Sequence, residues 1–271
     1  MRARTDAVAI TGVGILTPLA DTLPALGAAL RAGRTALCDI DGRALATLAD
    51  FDPLRYANVR GMRVYPRAAQ LQICAATRAL ADAALDVDPE QLGVISASTY
   101  AHLATLMAYD RDLVRLGVER TNPTLMPLAL PSSAGALTAL ALGAKAFAIT
   151  LSDGGASGLS ALALAAQKLR CDRARACVVV ASFAHCAELA QAVERAGWLA
   201  PSRHVRPFDR DSRGCGLGEL AVALTLEPVA LAARRGRTPL ALLGAHASAF
   251  SFESAQAHTT LADVCRQTLA R

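Results

Sequence analysis

The sequence is poor in aromatic residues, at 4%, and holds a single tryptophan. Lysine is nearly missing too: of 28 basic residues only Lys145 and Lys168 are lysines, so arginine carries the positive charge. With 53% apolar residues, the interior has to be built from Ala, Leu and Val, small side chains that suit closely layered helices and sheets. No apolar run reaches the ~18 residues that a membrane-spanning helix needs. Residues 1–6 lead into a strand-like run instead of the apolar centre of a signal peptide. No membrane span and a cytoplasmic location are expected. The seven cysteines (Cys38, Cys74, Cys171, Cys177, Cys186, Cys215 and Cys265) are odd in number and scattered, and no C-x-x-C pair occurs. That argues for reduced, packed thiols and against a disulfide framework or a metal site. The net charge of +5 favours an acidic partner. Without a basic stripe interleaved with aromatics, nucleic acid is not expected as one.

What is present alternates between strand and helix signals, which points to an α/β fold with a mixed sheet flanked by helices. β-Branched or apolar runs at residues 7–14, 92–97, 147–152 and 176–182 read as strands, with residues 220–226 and 240–244 as a closing pair. Helical patterns cover residues 23–31, 67–85, 102–116, 131–142, 157–169 and 261–269, several of them stopped by glycine. Residues 38–66, broken by Asp-Pro and Tyr-Pro, read as an irregular surface excursion. No linker or internal repeat divides the chain, so one domain over residues 1–271 is expected.

The segment richest in chemistry is a strand, a tight turn and a helix start: Ser152-Asp153-Gly154-Gly155-Ala156-Ser157-Gly158. Gly154 and Gly155 permit a strained backbone, and Ser157 is placed to satisfy the first helical turn. Such a turn holds its central residue over a helix N-terminus, where the dipole favours negative charge, the usual place for a nucleophile. Two other stretches stand out. One is the opening strand with its glycine turn, Val8 to Pro18. The other is the loop Arg206-Pro207-Phe208-Asp209, then Arg213-Gly214, then Gly218-Glu219, followed by a strand that ends in Leu226-Glu227-Pro228.

These three stretches, in this order, resemble the N-terminal half of a β-ketoacyl synthase of the thiolase-like superfamily. The family's turn reads Thr-Ala-Cys-Ala-Ser-Gly. Here Ala156, Ser157 and Gly158 fit as they stand, Asp153 takes the place of the threonine, Gly154 that of the alanine and Gly155 that of the nucleophilic cysteine. The family's second half, with its two catalytic histidine motifs, is expected to be absent, since His102, His185, His204, His246 and His258 stand in neither context.

The resemblance implies a degenerate active-site turn with no catalytic residue, because condensation needs a thiolate to hold the acyl chain and donors to stabilise the enolate. Ser157 reads as a structural hydroxyl and Asp153 as a carboxylate bonded locally at the helix start. His185-Cys186 reads as a cap for the next helix. Cys215 is near the glycine loop with nothing to activate it. The resemblance also implies a strand that pairs across a twofold axis, here with Phe147, Ile149 and Leu151. Leu125, Met126, Ser133 and Leu137 are candidates for an interface or tunnel wall, or for plain core packing. Arg206, Phe208, Asp209, Gly214, Gly218 and Glu219 form the family loop. The expected role is a subunit similar to the chain-length factor of a type II polyketide or aryl polyene synthase. Its expected partners are a full-length ketosynthase, in a heterodimer, and an acyl carrier protein. No cofactor is expected except phosphopantetheine delivered on that carrier. The alternatives are a stand-alone carrier-protein-binding scaffold and a thioester hydrolase using Ser157 or Cys215.

Overall fold

A computed structural model describes residues 7–201, 203, 205–207, 209–251 and 257–269. In chain order the elements are β1 (Val8–Leu16), α1 (Leu23–Arg31), β2 (Cys38–Ile40), β3 (Arg43–Ala46), α2 (Arg67–Ala83), β4 (Leu92–Ala97), α3 (Leu103–Leu116), α4 (Leu125–Leu128), α5 (Ser133–Leu142) and β5 (Phe147–Leu151). They continue with α6 (Ser157–Arg170), β6 (Ala176–Phe183), α7 (Ala187–Arg195), β7 (Leu217–Gly218), β8 (Leu220–Pro228), α8 (Val229–Arg234), β9 (Ala241–Leu243) and α9 (Ala257–Leu269).

Six strands form one mixed sheet in the order β5-β4-β6-β8-β1-β9. The three strands β5, β4 and β6 run parallel, while β8, β1 and β9 are joined by antiparallel pairings. Strand β8 and the short β9 do not pair with one another, as a closing hairpin would. They flank β1 on its two sides, with Ile10 opposite both Leu226 and Ala241. Each face of the sheet has its own core. On one side α2 and α5 pack over β1, β4, β6 and β8, with Leu71, Ile73, Val94, Val178 and Leu16 fully enclosed. On the other side α6 covers Val8, Ile95, Val179 and Leu226.

The approach of α2 to β1 explains the opening glycines. A Cβ on Gly12 would come 2.1 Å from the Ala79 carbonyl oxygen, and one on Gly14 would come 2.0 Å from that of Ala75. The helix lies almost directly on the strand backbone, which an alanine-rich helix face and two glycines allow. At the bulge between Ile10 and Gly12, Thr11 is buried and donates its hydroxyl to Glu227 Oε1 at 2.6 Å. Arg235 neutralises that carboxylate and also donates to the carbonyls of Ala83 and Ala84, closing the C-terminus of α2.

Residues 38–66 are more ordered than their prolines suggest. They contain the β2–β3 hairpin and two turns of 3₁₀ helix, Pro53–Arg55 and Met62–Val64. Strand β3 pairs in parallel with β7, making a second, three-stranded sheet, and Leu45 and Met62 are buried. Nor are the cysteines uniformly packed: Cys74, Cys177 and Cys186 are buried, whereas Cys38, Cys171, Cys215 and Cys265 are exposed. No helix among the described residues is long and apolar enough to cross a membrane.

Candidate active-site turn and its surroundings

Because β4, β5 and β6 are parallel, their C-terminal ends meet at one edge of the sheet, and the antiparallel β8 begins at that same edge. This edge therefore gathers Ser98 and Thr99 after β4, residues 152–156 after β5, His185 and Cys186 after β6, and Glu219 before β8. In open α/β sheets this is the end at which ligands bind.

The turn after β5 is one turn of 3₁₀ helix, Gly154–Ala156, that runs straight into α6. Gly154 takes φ +63°, a left-handed conformation that favours glycine. Ser157 is 4% exposed and ties the turn together: its Oγ accepts from the Asp153 backbone N–H at 2.7 Å and donates to the Gly154 carbonyl at 2.8 Å. A residue that sequence reasoning missed, Thr99, donates to the same carbonyl at 3.1 Å from across the sheet edge. Neither of the two bonds of the Ser157 hydroxyl goes to a histidine or a carboxylate, so no general base engages it.

Gly155 differs from its neighbour. It is exposed, its backbone lies outside the left-handed region, and a Cβ built on it meets nothing within 4 Å. The position has room for a side chain and carries none. Asp153 was expected to bond locally through its carboxylate. Instead the carboxylate is exposed and makes no capping bond, and it is the backbone of Asp153 that is used within the turn, its N–H donating to Ser157 Oγ and its carbonyl accepting from the Ala156 N–H. Gly158 sits in the first turn of α6, also with open space beside it.

Glu219 holds the rest of this edge together. Its carboxylate is 4% exposed and accepts from Arg67 Nε and Nη2 at 3.1 and 3.0 Å, from the Leu48 N–H at 2.8 Å and from the His185 N–H at 3.2 Å. Burial alone would raise its pKa, but the Arg67 guanidinium and the two backbone donors outweigh it and hold the carboxyl below the usual glutamate value. Arg67 also stacks over the Phe51 ring, 4.6 Å from its centroid. The start of α2, the strand β8 and the segments around residues 48 and 185 thus converge on one carboxylate.

His185 and Cys186 do not form a dyad. The Cys186 thiol donates to Glu188 Oε2 at 3.3 Å at the start of α7, and burial pushes its pKa up. Cys215 turns away as well: its thiol donates to the Trp198 carbonyl at 3.4 Å.

A family model described as "Beta-ketoacyl synthase, N-terminal domain" matches residues 5–232. The chain belongs to this family. Among its relatives, a 3-oxoacyl-[acyl-carrier-protein] synthase 2 of Synechocystis sp. is 27% identical over 84% of this chain and 59% of its own length. The tetracenomycin polyketide synthase ketoacyl synthase alpha subunit of Streptomyces glaucescens is 31% identical over the same two shares. Nodulation protein E of a Rhizobium species is 29% identical, over 91% of this chain and 65% of its own length. The chain spans about six tenths of the length of these curated relatives. In fold it is similar to a β-ketoacyl synthase from Burkholderia phymatum, with a TM-score of 0.87 at 21% identity over 97% of this chain and 70% of that one. It is likewise similar to the ishigamide ketosynthase/chain length factor, with a TM-score of 0.81 at 24% identity over 97% and 69%. The thiolase-like architecture expected from the sequence is the one observed.

The remaining residues expected at functional positions of this β-ketoacyl-synthase-type chain separate by location. Strand β5 ends the sheet, paired with β4 on one side only among the described residues. Phe147, Ile149 and Leu151 point to the α6 side and pack against its core, and the Phe147 ring lies over Gly93. Met126 is 46% exposed and Leu125 half-buried at the start of α4. Ser133 donates to the Leu128 carbonyl at 3.0 Å, and Leu137 packs against the α2-side core. In the family loop Arg206 is exposed and 3.9 Å from Asp209, Gly214 takes φ +111°, and Gly218 pairs with Ala46 in β7. Phe208 and His204 lie outside the described residues.

Proposed function

We propose that this chain is a non-catalytic subunit of chain-length-factor type. It pairs with a full-length ketosynthase and shapes the tunnel for that partner's growing acyl chain, in polyketide, aryl polyene or fatty-acid-type elongation. The observation that carries this reading is Gly155. The nucleophile's position lies in a turn that retains Ala156, Ser157 and Gly158, and it holds no atom that can form a thioester. A turn decaying freely would not be expected to keep Ser157 buried and bonded to both ends of the turn.

The surface supports a partner. Met126, Leu130, Val114, Val118 and Leu140 are large apolar side chains exposed on α3, α4, α5 and the segments that join them, and among the described residues β5 presents an open strand edge next to α5. Open edges and apolar patches of this kind are normally covered. In the proposed assembly the partner's equivalent strand extends the sheet at β5, and α4 and α5 lie against the acyl tunnel. Acyl groups reach the assembly on a carrier protein, which supplies the only phosphopantetheine involved.

Co-expression with a cysteine-bearing ketosynthase of the same organism tests the reading. Expected are co-elution as a one-to-one complex on size exclusion and malonyl elongation that requires both chains. A chain that stays apart from every such synthase, or a synthase whose products are the same without it, would overturn the proposal.

A further inference from the structure

Helix α5 has only two polar side chains, Ser133 and Thr138, and its two sides differ in size. The buried side, Ala134, Gly135, Thr138 and Ala139, is made of small residues. On the side turned away from it Ala136 and Leu140 are exposed. Helical spacing puts the two sets on opposite faces.

The small face lets α5 lie very close to the sheet. A Cβ on Gly135 would stand 2.6 Å from the Ser96 Cβ of β4 and 2.8 Å from Thr150 Oγ1 of β5. Carbon atoms settle about 3.5–4.0 Å apart. The Thr150 side chain can rotate, but Ser96 is fixed. It is 1% exposed, and its hydroxyl donates to Gln72 Oε1 at 2.9 Å. Gln72 is fully buried as well and donates to Ser182 Oγ at 3.0 Å. Helix α2 and strand β6 thus hold Ser96 in place together. A side chain at position 135 therefore displaces the helix and not the sheet, outward by about 1 Å.

We infer that Gly135 sets the width of the acyl tunnel. Its missing side chain fixes the depth at which α5 rests on β4 and β5. That depth in turn fixes how far the outer face, with Ala136 and Leu140, stands into the space of the growing chain. The inference rests on the proposed tunnel-shaping role and names the residue through which this chain limits product length. Gly135 touches no substrate and acts through α5, as a positioning residue. Small displacements of such a wall count, because one methylene more or less in an apolar pocket changes discrimination roughly 10–200-fold.

The test is malonyl elongation by the complex of this chain with its ketosynthase, with the released products sized by mass spectrometry. Gly135→Ala pushes α5 outward, so the ratio of the parent's main product to the product one elongation step shorter should fall at least about tenfold. Thr138→Ala lies one helical turn along the same buried face, creates no clash and lets α5 settle inward. It should shift the products the other way, toward the next longer chain. A merely structural role lowers yield or assembly in both variants and produces no opposite shifts. If Gly135→Ala does not co-purify with the ketosynthase, Thr138→Ala decides alone. Products of parent length from every variant that assembles, or shorter products from Thr138→Ala, would overturn the role of Gly135 and leave the subunit reading standing. A parent complex whose products are the same without this chain would overturn both.

Discussion

At residue scale, the difference between Gly154 and Gly155 decides most. Gly154 takes a positive φ, so any side chain there adds strain. Gly155 has an ordinary backbone and empty space, so Gly155→Cys should fold with a stability change within about 0.5 kcal/mol. The new thiol should be alkylated by iodoacetamide, seen as a mass shift on the peptide containing residue 155. Ser157→Ala removes the hydroxyl that bonds to both ends of the turn and leaves the Asp153 N–H without that acceptor, while the Gly154 carbonyl keeps its bond from Thr99. A loss of about 1–2 kcal/mol is expected from denaturant unfolding. Glu219→Gln breaks a buried ion pair whose guanidinium is partly solvated, at an expected cost of about 2–4 kcal/mol. The sign of the pH effect follows from the lowered folded-state pKa. The Glu219 contribution is present above the unfolded glutamate value of about 4.5 and is lost as pH falls below it. Melting temperatures of parent and Glu219→Gln should therefore converge toward acid.

At element scale, the closeness of α2 to β1 makes Gly12 and Gly14 structural requirements. Gly12→Ala places a methyl inside a backbone contact and should cost about 3 kcal/mol, whereas Gly155→Ala should be close to neutral in the same unfolding measurement. The parallel strands were legible because runs such as Val178-Val179-Val180 have few alternatives to a buried strand. Other elements were hidden for physical reasons. Helix α7, Ala187–Arg195, is polar on most of its face and buries only Ala190. The β2–β3 hairpin is short and lies between prolines. Its turn had a usable signal in Asp41-Gly42, which take φ 53° and 75° as a two-residue hairpin turn prefers. The partners of β8 and β9 were not readable, since strand order is a long-range property. The glycine turn and the Arg-Pro-Phe-Asp loop were visible as local patterns. Thr99 was not, because only the fold brings residue 99 to within hydrogen-bond reach of residue 154.

At the scale of the whole molecule, the sheet is covered on both faces and, among the described residues, is open at β5. Beside that edge Leu140 is 73% exposed. Leu140→Asp and Met126→Asp change surface side chains and should leave the melting of the chain nearly unchanged. On size exclusion they should abolish co-elution with the ketosynthase. The central claim, that this chain shapes but does not perform acyl transfer, is tested most directly by intact-mass spectrometry of the complex after incubation with acyl carrier protein thioester. Non-catalysis predicts an acyl mass increment on the ketosynthase chain alone, with this chain unshifted. A covalent acyl increment on this chain, mapped to any of its own residues, would contradict it.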